Sequence, residues 1–180
     1  ALLYFSPGEI LGGQTWRIVS GHLTHADLKH LWWNIVGLAV LGSMLERHST
    51  IYWWAALVAG IVSVSTLLLS PFSPLENYCG LSGVLNTFLL VLIWLEWQVS
   101  RSGLMAVIAM GSVVKVAVEI YLGESLVTNI SWPPYAWSHG AGLLGGLIVI
   151  LFERLEHGRR VVPDKEPSNG KHVCESSSPG

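Results

Sequence analysis

Charged residues are scarce in this sequence of 180 residues, where Asp, Glu, Lys and Arg together make up 12% of the chain. A soluble domain of this size usually carries about 25%. The few charges are clustered, so long stretches are almost purely apolar, and the mean hydropathy is +0.51. This composition argues against a soluble globular domain and predicts a polytopic membrane protein.

The sequence also has no excess of basic residues and few cysteines. The formal net charge of -2 provides no basic surface for nucleic acid, so no nucleic-acid partner is expected. The two cysteines, Cys79 and Cys174, match no metal or redox spacing. The sequence therefore predicts neither a metal site nor another cofactor.

Long apolar stretches are what the sequence has in abundance. Five of them are long enough to cross a bilayer as helices. They run over residues 28–45, 51–69, 82–97, 104–122 and 136–152. Asp27 is expected to cap the first span, and Pro71 to stop the second, because proline cannot continue the helical hydrogen-bond ladder. The predicted fold is an all-α transmembrane helical bundle.

The segments outside the spans carry further expectations. Residues 1–5 are apolar but too short to cross a bilayer and lack an initial Met, so we expect the remainder of a helix lost by truncation or processing. Residues 6–27 are expected to form a loop. From Glu153 the chain is charged and rich in Ser, Pro and Gly, which is typical of disorder. We therefore assign residues 1–155 to one membrane domain and 156–180 to a disordered tail.

Three polar residues lie near the starts of alternate spans. Because consecutive spans reverse direction, the first, third and fifth all begin on the same side of the membrane. His30, Ser82 and His139 lie near those three starts. Hydropathy does not require this arrangement. The shared position of the three residues predicts that their side chains meet at similar depth in the membrane.

Lysine and arginine are distributed unequally between the two sides. The side opposite the three polar residues carries Arg47, Arg101, Arg154, Arg159, Arg160, Lys165 and Lys171. Their own side carries Arg17, with Lys29 at the boundary. The positive-inside rule therefore predicts a cytoplasmic tail and a site that opens outward. Cys79 and Cys174 then lie on opposite sides and are not expected to form a disulfide.

Ser82 is the candidate nucleophile, at the start of the third span between Gly80 and Gly83. A serine hydroxyl is a poor nucleophile until a base accepts its proton. Free backbone N–H groups at a helix start favour a developing anion, and the glycines let a substrate backbone come close. The alternative is that Ser82 is an ordinary N-cap between small packing residues.

His139 is the candidate base, because a buried imidazole in a membrane span is costly and indicates function. Gly142 and Gly146 follow on the same helical face. Such a face lets another helix approach closely enough for a Ser–His hydrogen bond. The alternative is a plain packing face whose histidine points into the headgroup zone.

His30 and Asn34 lie four residues apart, on one face of the first span. Both can donate hydrogen bonds, so together with the Ser82 amide they are candidates to stabilise an oxyanion. The alternative is interhelical hydrogen bonding, which His and Asn commonly supply in bilayers.

The remaining polar residues of the N-terminal region argue against a metal site and against a third catalytic residue. His22, His25 and His30 are not spaced to share one helical face, which argues against zinc. Nothing ties Asp27 to His139, so a Ser–His dyad is expected rather than a triad.

Lys115 and Glu119 lie four apart in the fourth span and are expected to neutralise each other. The alternative, a small transporter that uses this pair, would show internal symmetry between its halves. The sequence lacks that symmetry.

Taken together, these residues resemble the rhomboid family of intramembrane serine proteases over residues 16–152. The motifs that carry the resemblance, in family order, are Trp16-Arg17, His25, His30-x-x-x-Asn34, Gly42-x-x-x-Glu46, Gly80-x-Ser82-Gly83 and His139-x-x-Gly142-x-x-x-Gly146. The resemblance implies that Ser82 is the nucleophile and His139 the general base. It also implies that His30, Asn34 and the Ser82 amide hold the oxyanion. Trp16-Arg17 would belong to a membrane-embedded first loop.

A finer pattern is most similar to the rhombosortase branch of that family. It consists of Gly21-His22-Leu23 together with Asn34-Ile35-Val36-Gly37-Leu38. That branch implies substrates with a C-terminal Gly-Gly motif, a transmembrane helix and a basic tail.

The sequence departs from the rhomboid family pattern in two ways. The family core has six spans, so the first would be missing, and Asn86 replaces an aromatic that stacks on the base in many rhomboids. We expect Asn86 to hydrogen-bond near the site.

The implied activity is cleavage of single-span membrane proteins in the lipid bilayer, near its outer face. The implied location is a bacterial inner membrane, with the site facing the periplasm. The alternative is an inactive rhomboid-like protein that binds spans without cutting them. The presence of both Ser82 and His139 argues against that alternative.

Overall fold

The computed structural model describes residues 2–123 and 135–160, with side chains up to residue 156. The helices within these ranges are α1 (Pro7–Leu11), α2 (Arg17–Leu23), α3 (Leu28–His48), α4 (Thr50–Leu69), α5 (Ser82–Ser100), α6 (Gly103–Leu122) and α7 (Ala136–Arg160). The predicted all-α fold is confirmed.

The five long helices, α3 to α7, are each apolar and long enough to cross a membrane. A helix rises 1.5 Å per residue, so about 20 residues match the hydrocarbon thickness of about 30 Å. Large apolar side chains on their outer faces are exposed, as a lipid environment requires, including Val107, Met110 and Val114 of α6. The chain is therefore an integral, multi-pass membrane protein, as predicted.

Helix ends extend beyond the apolar stretches that predicted them. α3 continues through polar residues to His48, and a single residue, Ser49, separates it from α4. The Ser49 hydroxyl accepts a hydrogen bond from the Ile51 N–H at 3.1 Å, which caps α4. Asp27 caps α3 as predicted, since its carboxylate accepts from the His30 N–H at 2.7 Å. Hydropathy marks where a helix is apolar, whereas the hydrogen-bond ladder of α3 continues into the polar residues that follow.

α5 lies at the centre of the bundle. It packs against α3, α4, α6 and α7, and half of its membrane window is buried, a larger share than in any other described span. Val84, Phe88 and Val91 are almost fully buried along its length. Because α5 begins at Ser82, the candidate nucleophile lies at one end of the most enclosed helix.

Glycines allow α5 and α7 to pack in backbone contact. A Cβ atom on Gly142 would lie 1.9 Å from the carbonyl oxygen of Gly83, which no side chain can tolerate. About one turn further along α7, a Cβ on Gly146 would lie 2.9 Å from the Cβ of Leu90. The Thr87 hydroxyl donates to the Gly142 carbonyl at 2.7 Å and fixes the register of the two helices. The predicted close approach of this glycine face is confirmed.

The N-terminal region differs from prediction in two ways. Residues 6–27 were expected to form a loop, but they contain α1 and α2. Residues 2–5 are not helical: Phe5 is fully buried and pairs with Tyr78, with Phe5 N to Tyr78 O at 3.0 Å and Tyr78 N to Phe5 O at 2.9 Å. Sequence periodicity cannot detect such short helices or a single long-range backbone pairing.

The boundary of the proposed tail falls within a helix. α7 continues to Arg160, five residues past the predicted domain end at residue 155. Residues 161–180, the remainder of the predicted tail, lie outside the described residues, as do residues 124–134 before α7.

We predict that Gly142→Ala destabilises the bundle. The added methyl group meets the Gly83 carbonyl, so α5 and α7 must separate, at a cost of about 1–3 kcal/mol. Thermal unfolding of the protein in detergent micelles measures this effect. The matched control is Gly111→Ala in α6, where a Cβ would have no neighbour within 4 Å. That variant should be neutral or up to about 1 kcal/mol more stable, since alanine is the better helix former. Equal melting of both variants would contradict the close contact.

Candidate active site

Ser82 is the first residue of α5. It follows a short loop, residues 78–81, which we call the serine loop. Gly80 in this loop has φ of +125°, a conformation that side-chain-bearing residues avoid. The N-cap residue of α5 is Leu81, and no side chain caps the helix. The Ser82 hydroxyl is therefore not used as an N-cap, which was the alternative explanation for a serine at this point.

His139 lies in the first turn of α7, with its ring between α5 and α6. Its Nε2 atom lies 3.0 Å from the Ser82 Oγ atom, within hydrogen-bonding distance. The residue is buried, so the alternative of a histidine that points into the headgroup zone does not fit. The two side chains predicted to meet across packed helices are in contact.

Glu119 contacts the other nitrogen of the same ring. Its Oε2 atom lies 2.9 Å from His139 Nδ1, and Glu119 is fully buried. The same oxygen accepts a hydrogen bond from Lys115 Nζ at 2.8 Å. The expected Lys115–Glu119 pair is therefore present, but it forms part of a longer chain that runs from Ser82 through His139 to Glu119 and Lys115.

Sequence reasoning missed this third contact because it compared only Asp27 with His139. A signal was available in the direction of the spans. α6 runs opposite to α5 and α7, so its last turn lies at the membrane side where they begin. Glu119, three residues before the end of α6, is therefore at the depth of Ser82 and His139. An acidic residue at that depth can contact a base on a neighbouring span.

The two candidate side-chain donors to the oxyanion, His30 and Asn34, lie on α3. His30 packs directly against Gly80: a Cβ on that glycine would lie 2.6 Å from the His30 Cε1 atom. The His30 Nδ1 atom is buried and has no hydrogen-bond partner among the described residues. Asn34 is buried, and its Nδ2 donates to the His30 carbonyl at 3.0 Å, which uses one of its two N–H hydrogens.

Asn86, the departure from the family pattern, lies at the α5–α7 contact. Its Nδ2 donates to the Ser82 carbonyl at 2.8 Å, so the expected hydrogen bond near the site is present. A Cβ on Gly142 would lie 3.2 Å from the Asn86 Cβ. Asn86 therefore belongs to the contact that sets the distance between the two helices.

The remaining predicted site residues have supporting positions. Trp16 is half exposed, whereas the Arg17 side chain is buried. The Arg17 guanidinium donates to the Tyr4 carbonyl at 2.9 Å and to Gln14 Oε1 at 2.8 Å. This contact ties α2 to the N-terminal segment.

His25 and Glu46 lie at different ends of α3. The His25 ring packs edge-on against the His30 ring, with 5.0 Å between their centroids. Burial, and secondarily the neighbouring His30, lower the pKa of His25. Glu46 is exposed in the last turn of α3, roughly 24 Å from His30 along the helix. It does not reach the site.

A buried aromatic cluster supports the serine loop and was not predicted. It consists of Phe5, His22 and Tyr78, whose ring centroids lie 5.8 to 6.5 Å apart. The Tyr78 hydroxyl donates to the Gly80 carbonyl at 3.0 Å, and His22 Nε2 lies 3.1 Å from the Ser65 hydroxyl. The cluster therefore links the N-terminal segment, α2 and α4 to the loop before Ser82.

The electrostatic state of His22 follows from this burial. Desolvation lowers its pKa from 6.5 to about 4, so the ring is neutral near pH 7. Within the described ranges, no group of three or more His, Cys, Asp or Glu side chains is placed to hold a metal ion.

The fold and this site together define the class of protein: a multi-pass membrane protein with a serine and a histidine in contact at the ends of two spans. The family model described as Rhomboid domain matches residues 12–155, which is most of the chain. The chain belongs to the rhomboid family of intramembrane serine proteases. No curated protein sequence matches it. The predicted family is confirmed, whereas the rhombosortase branch stays a prediction.

We predict that His22 makes stability depend on pH. Its folded pKa of about 4 lies below the ordinary 6.5, so the folded state binds fewer protons than the unfolded state between these values. The stabilisation is complete above pH 6.5 and is lost as pH falls towards 4, by up to about 3 kcal/mol. Unfolding in micelles at several pH values measures this loss. The control is His22→Gln, which keeps a polar group near Ser65 but cannot titrate. An identical pH slope for both proteins would contradict the assignment.

Proposed function

We propose that this protein is an intramembrane serine endopeptidase in which Ser82 is the nucleophile and His139 the general base. The observation that supports the proposal most directly is the 3.0 Å contact between Ser82 Oγ and His139 Nε2. A base in hydrogen-bond reach of a hydroxyl is the arrangement that activates serine for attack on a carbonyl. The position of the contact, at the start of α5, adds free backbone N–H groups beside the nucleophile.

The reaction proceeds through an acyl-enzyme. His139 Nε2 accepts the Ser82 proton as the oxygen attacks the substrate carbonyl carbon, giving a tetrahedral intermediate. The same nitrogen then protonates the leaving amine as the C–N bond breaks. A water molecule attacks the resulting ester with His139 again as base, which releases the new carboxyl terminus and regenerates Ser82.

The oxyanion is assigned to three donors around the serine loop. The Ser82 N–H lies at the first position of α5, where the helix itself offers no carbonyl to accept its hydrogen bond. The His30 side chain contacts Gly80, two residues before the nucleophile, and Asn34 follows one turn later on α3. Such donors, fixed in place before the reaction, stabilise charge as it develops.

The substrate is a single-span membrane protein that reaches the site from the lipid bilayer. Its helix must unwind locally, because helical carbonyls are already hydrogen-bonded, and glycine or proline near the cut reduces that cost. The distribution of lysine and arginine supports a site on the outer, periplasmic side of a bacterial inner membrane, with the end of α7 in the cytoplasm.

We predict that Ser82→Ala and His139→Ala each abolish cleavage of a single-span substrate in proteoliposomes. The first change removes the hydroxyl that attacks the carbonyl, and the second removes the base that accepts its proton. The measured quantity is the appearance of the cleaved fragment over time. The matched control is Ser112→Ala, whose hydroxyl bonds only within α6, to the Ile108 carbonyl at 2.9 Å. That variant should cleave at the normal rate. Cleavage that persists in folded Ser82→Ala would exclude the serine mechanism.

The finer assignment to the rhombosortase branch makes a separate prediction. Two substrates that differ only at the C-terminus are compared: one carries a Gly-Gly motif ahead of its membrane helix and basic tail, and the other has both glycines changed to leucine. We expect cleavage of the Gly-Gly substrate to be at least about tenfold faster, because glycine leaves the backbone easier to unwind at the cut. Equal rates would leave a rhomboid protease without this specificity.

A further inference from the structure

Glu119 is one of two residues that α6 buries, the other being Val116. Its carboxylate is fully enclosed, and one of its oxygens contacts both a ring nitrogen, His139 Nδ1, and a cation, Lys115 Nζ. A carboxylate at this depth in a bilayer is costly to keep unless its partners compensate. A helix that serves only to fill space against α5 and α7 has no need for one.

We propose that Glu119 is a positioning residue for His139, and that Lys115 keeps Glu119 ionised in this role. The proposal rests on the proposed function, since it explains how His139 becomes an effective base. The expected dyad is thus extended by a third residue, contributed by the fourth span.

The tautomer of the His139 ring carries the argument. A neutral imidazole bears one N–H, on Nδ1 or on Nε2. A carboxylate only accepts hydrogen bonds, so Glu119 Oε2 at 2.9 Å selects the tautomer with the proton on Nδ1. The lone pair is then on Nε2, at 3.0 Å from the Ser82 hydroxyl, where the base must accept a proton.

The charge of Glu119 also acts during the reaction. When His139 accepts the serine proton it becomes a cation, and a carboxylate in contact with Nδ1 stabilises that cation in a medium of low dielectric constant. Glu119 itself takes no proton. Lys115, whose side chain is 35% exposed, lies 2.8 Å from the same oxygen and balances the negative charge in the resting state.

A purely structural role for Glu119 is the rival explanation. α6 packs mainly against α5 and α7, so the Glu119–His139 hydrogen bond also helps to hold α6 in place. The two explanations differ in what they predict for substrate binding, for turnover and for the ring tautomer. Loss of an anchor alters stability, whereas loss of a positioning group lowers turnover in a protein that remains folded.

The decisive variant is Glu119→Gln, which keeps the shape but replaces the acceptor-only carboxylate by an amide that can also donate to Nδ1. We expect kcat to fall about 100-fold with KM within about twofold of the wild type. Glu119→Asp, which retains the charge on a shorter side chain, should recover part of this loss. Labelling of Ser82 by a fluorophosphonate, which needs the same activated hydroxyl but no substrate helix, should slow in parallel with kcat.

The matched control is Glu96→Gln. Glu96 also pairs with a histidine, His48, at 2.9 Å, but at the other end of the bundle. Its removal should leave kcat and KM unchanged. Lys115→Gln should lower kcat, and should add little in a protein that already carries Glu119→Gln, because Lys115 acts through Glu119.

The wild-type protein provides a test that does not depend on any variant. In ¹⁵N NMR spectra of histidine-labelled protein, His139 should carry its proton on Nδ1 and none on Nε2 near neutral pH. The opposite tautomer would overturn the proposal even if Glu119→Gln fails to fold. A folded Glu119→Gln protein with kcat within twofold of the wild type would also overturn it. If Ser82→Ala retains cleavage, the serine mechanism itself fails, and that result is distinct from an inert Glu119.

Discussion

The structure depends on one imidazole ring that bonds through both nitrogens to two neighbouring helices. His139 belongs to α7, its Nε2 contacts Ser82 of α5, and its Nδ1 contacts Glu119 of α6. Each of these groups would be unfavourable alone in a bilayer, because a buried polar group without a partner costs several kcal/mol. Joined through the ring, they satisfy one another. Ser82, His139 and Glu119 therefore form one connected network.

Close packing is what makes this network geometrically possible. Side chains as short as serine and histidine meet across helices only when the backbones approach closely, and Gly83 and Gly142 place the two backbones in contact. The Thr87 hydroxyl then fixes the sliding of one helix along the other through the Gly142 carbonyl. In a lipid environment, where apolar attraction between helices is weak, contacts of this kind supply much of the association. The same residues that stabilise the bundle thus set the Ser82–His139 distance on which the proposed chemistry depends.

Much of the fold followed from the sequence, because a bilayer imposes length and apolarity on every span. The five spans and the meeting of Ser82 with His139 required only the helix period and the alternation of direction. The contacts made by residues outside the spans did not follow. Phe5 pairs with Tyr78, and Arg17 turns inward to the Tyr4 carbonyl, through single long-range bonds that leave no periodic trace. Glu119 was assigned to Lys115 alone, because a neighbour four residues away is visible in a sequence and a neighbour on another helix is not.

The order of the spans along the chain has a consequence for biosynthesis. Ser82 begins α5 and is inserted earlier than His139, its proposed base, which lies on α7. Under the proposed mechanism, the serine hydroxyl has no base to accept its proton until α7 is in place. A nascent chain paused partway through insertion therefore cannot attack its own spans or those of neighbouring precursors. Under the proposed mechanism, proteolytic competence therefore arises only when α7 docks, so assembly of the bundle acts as the activating step.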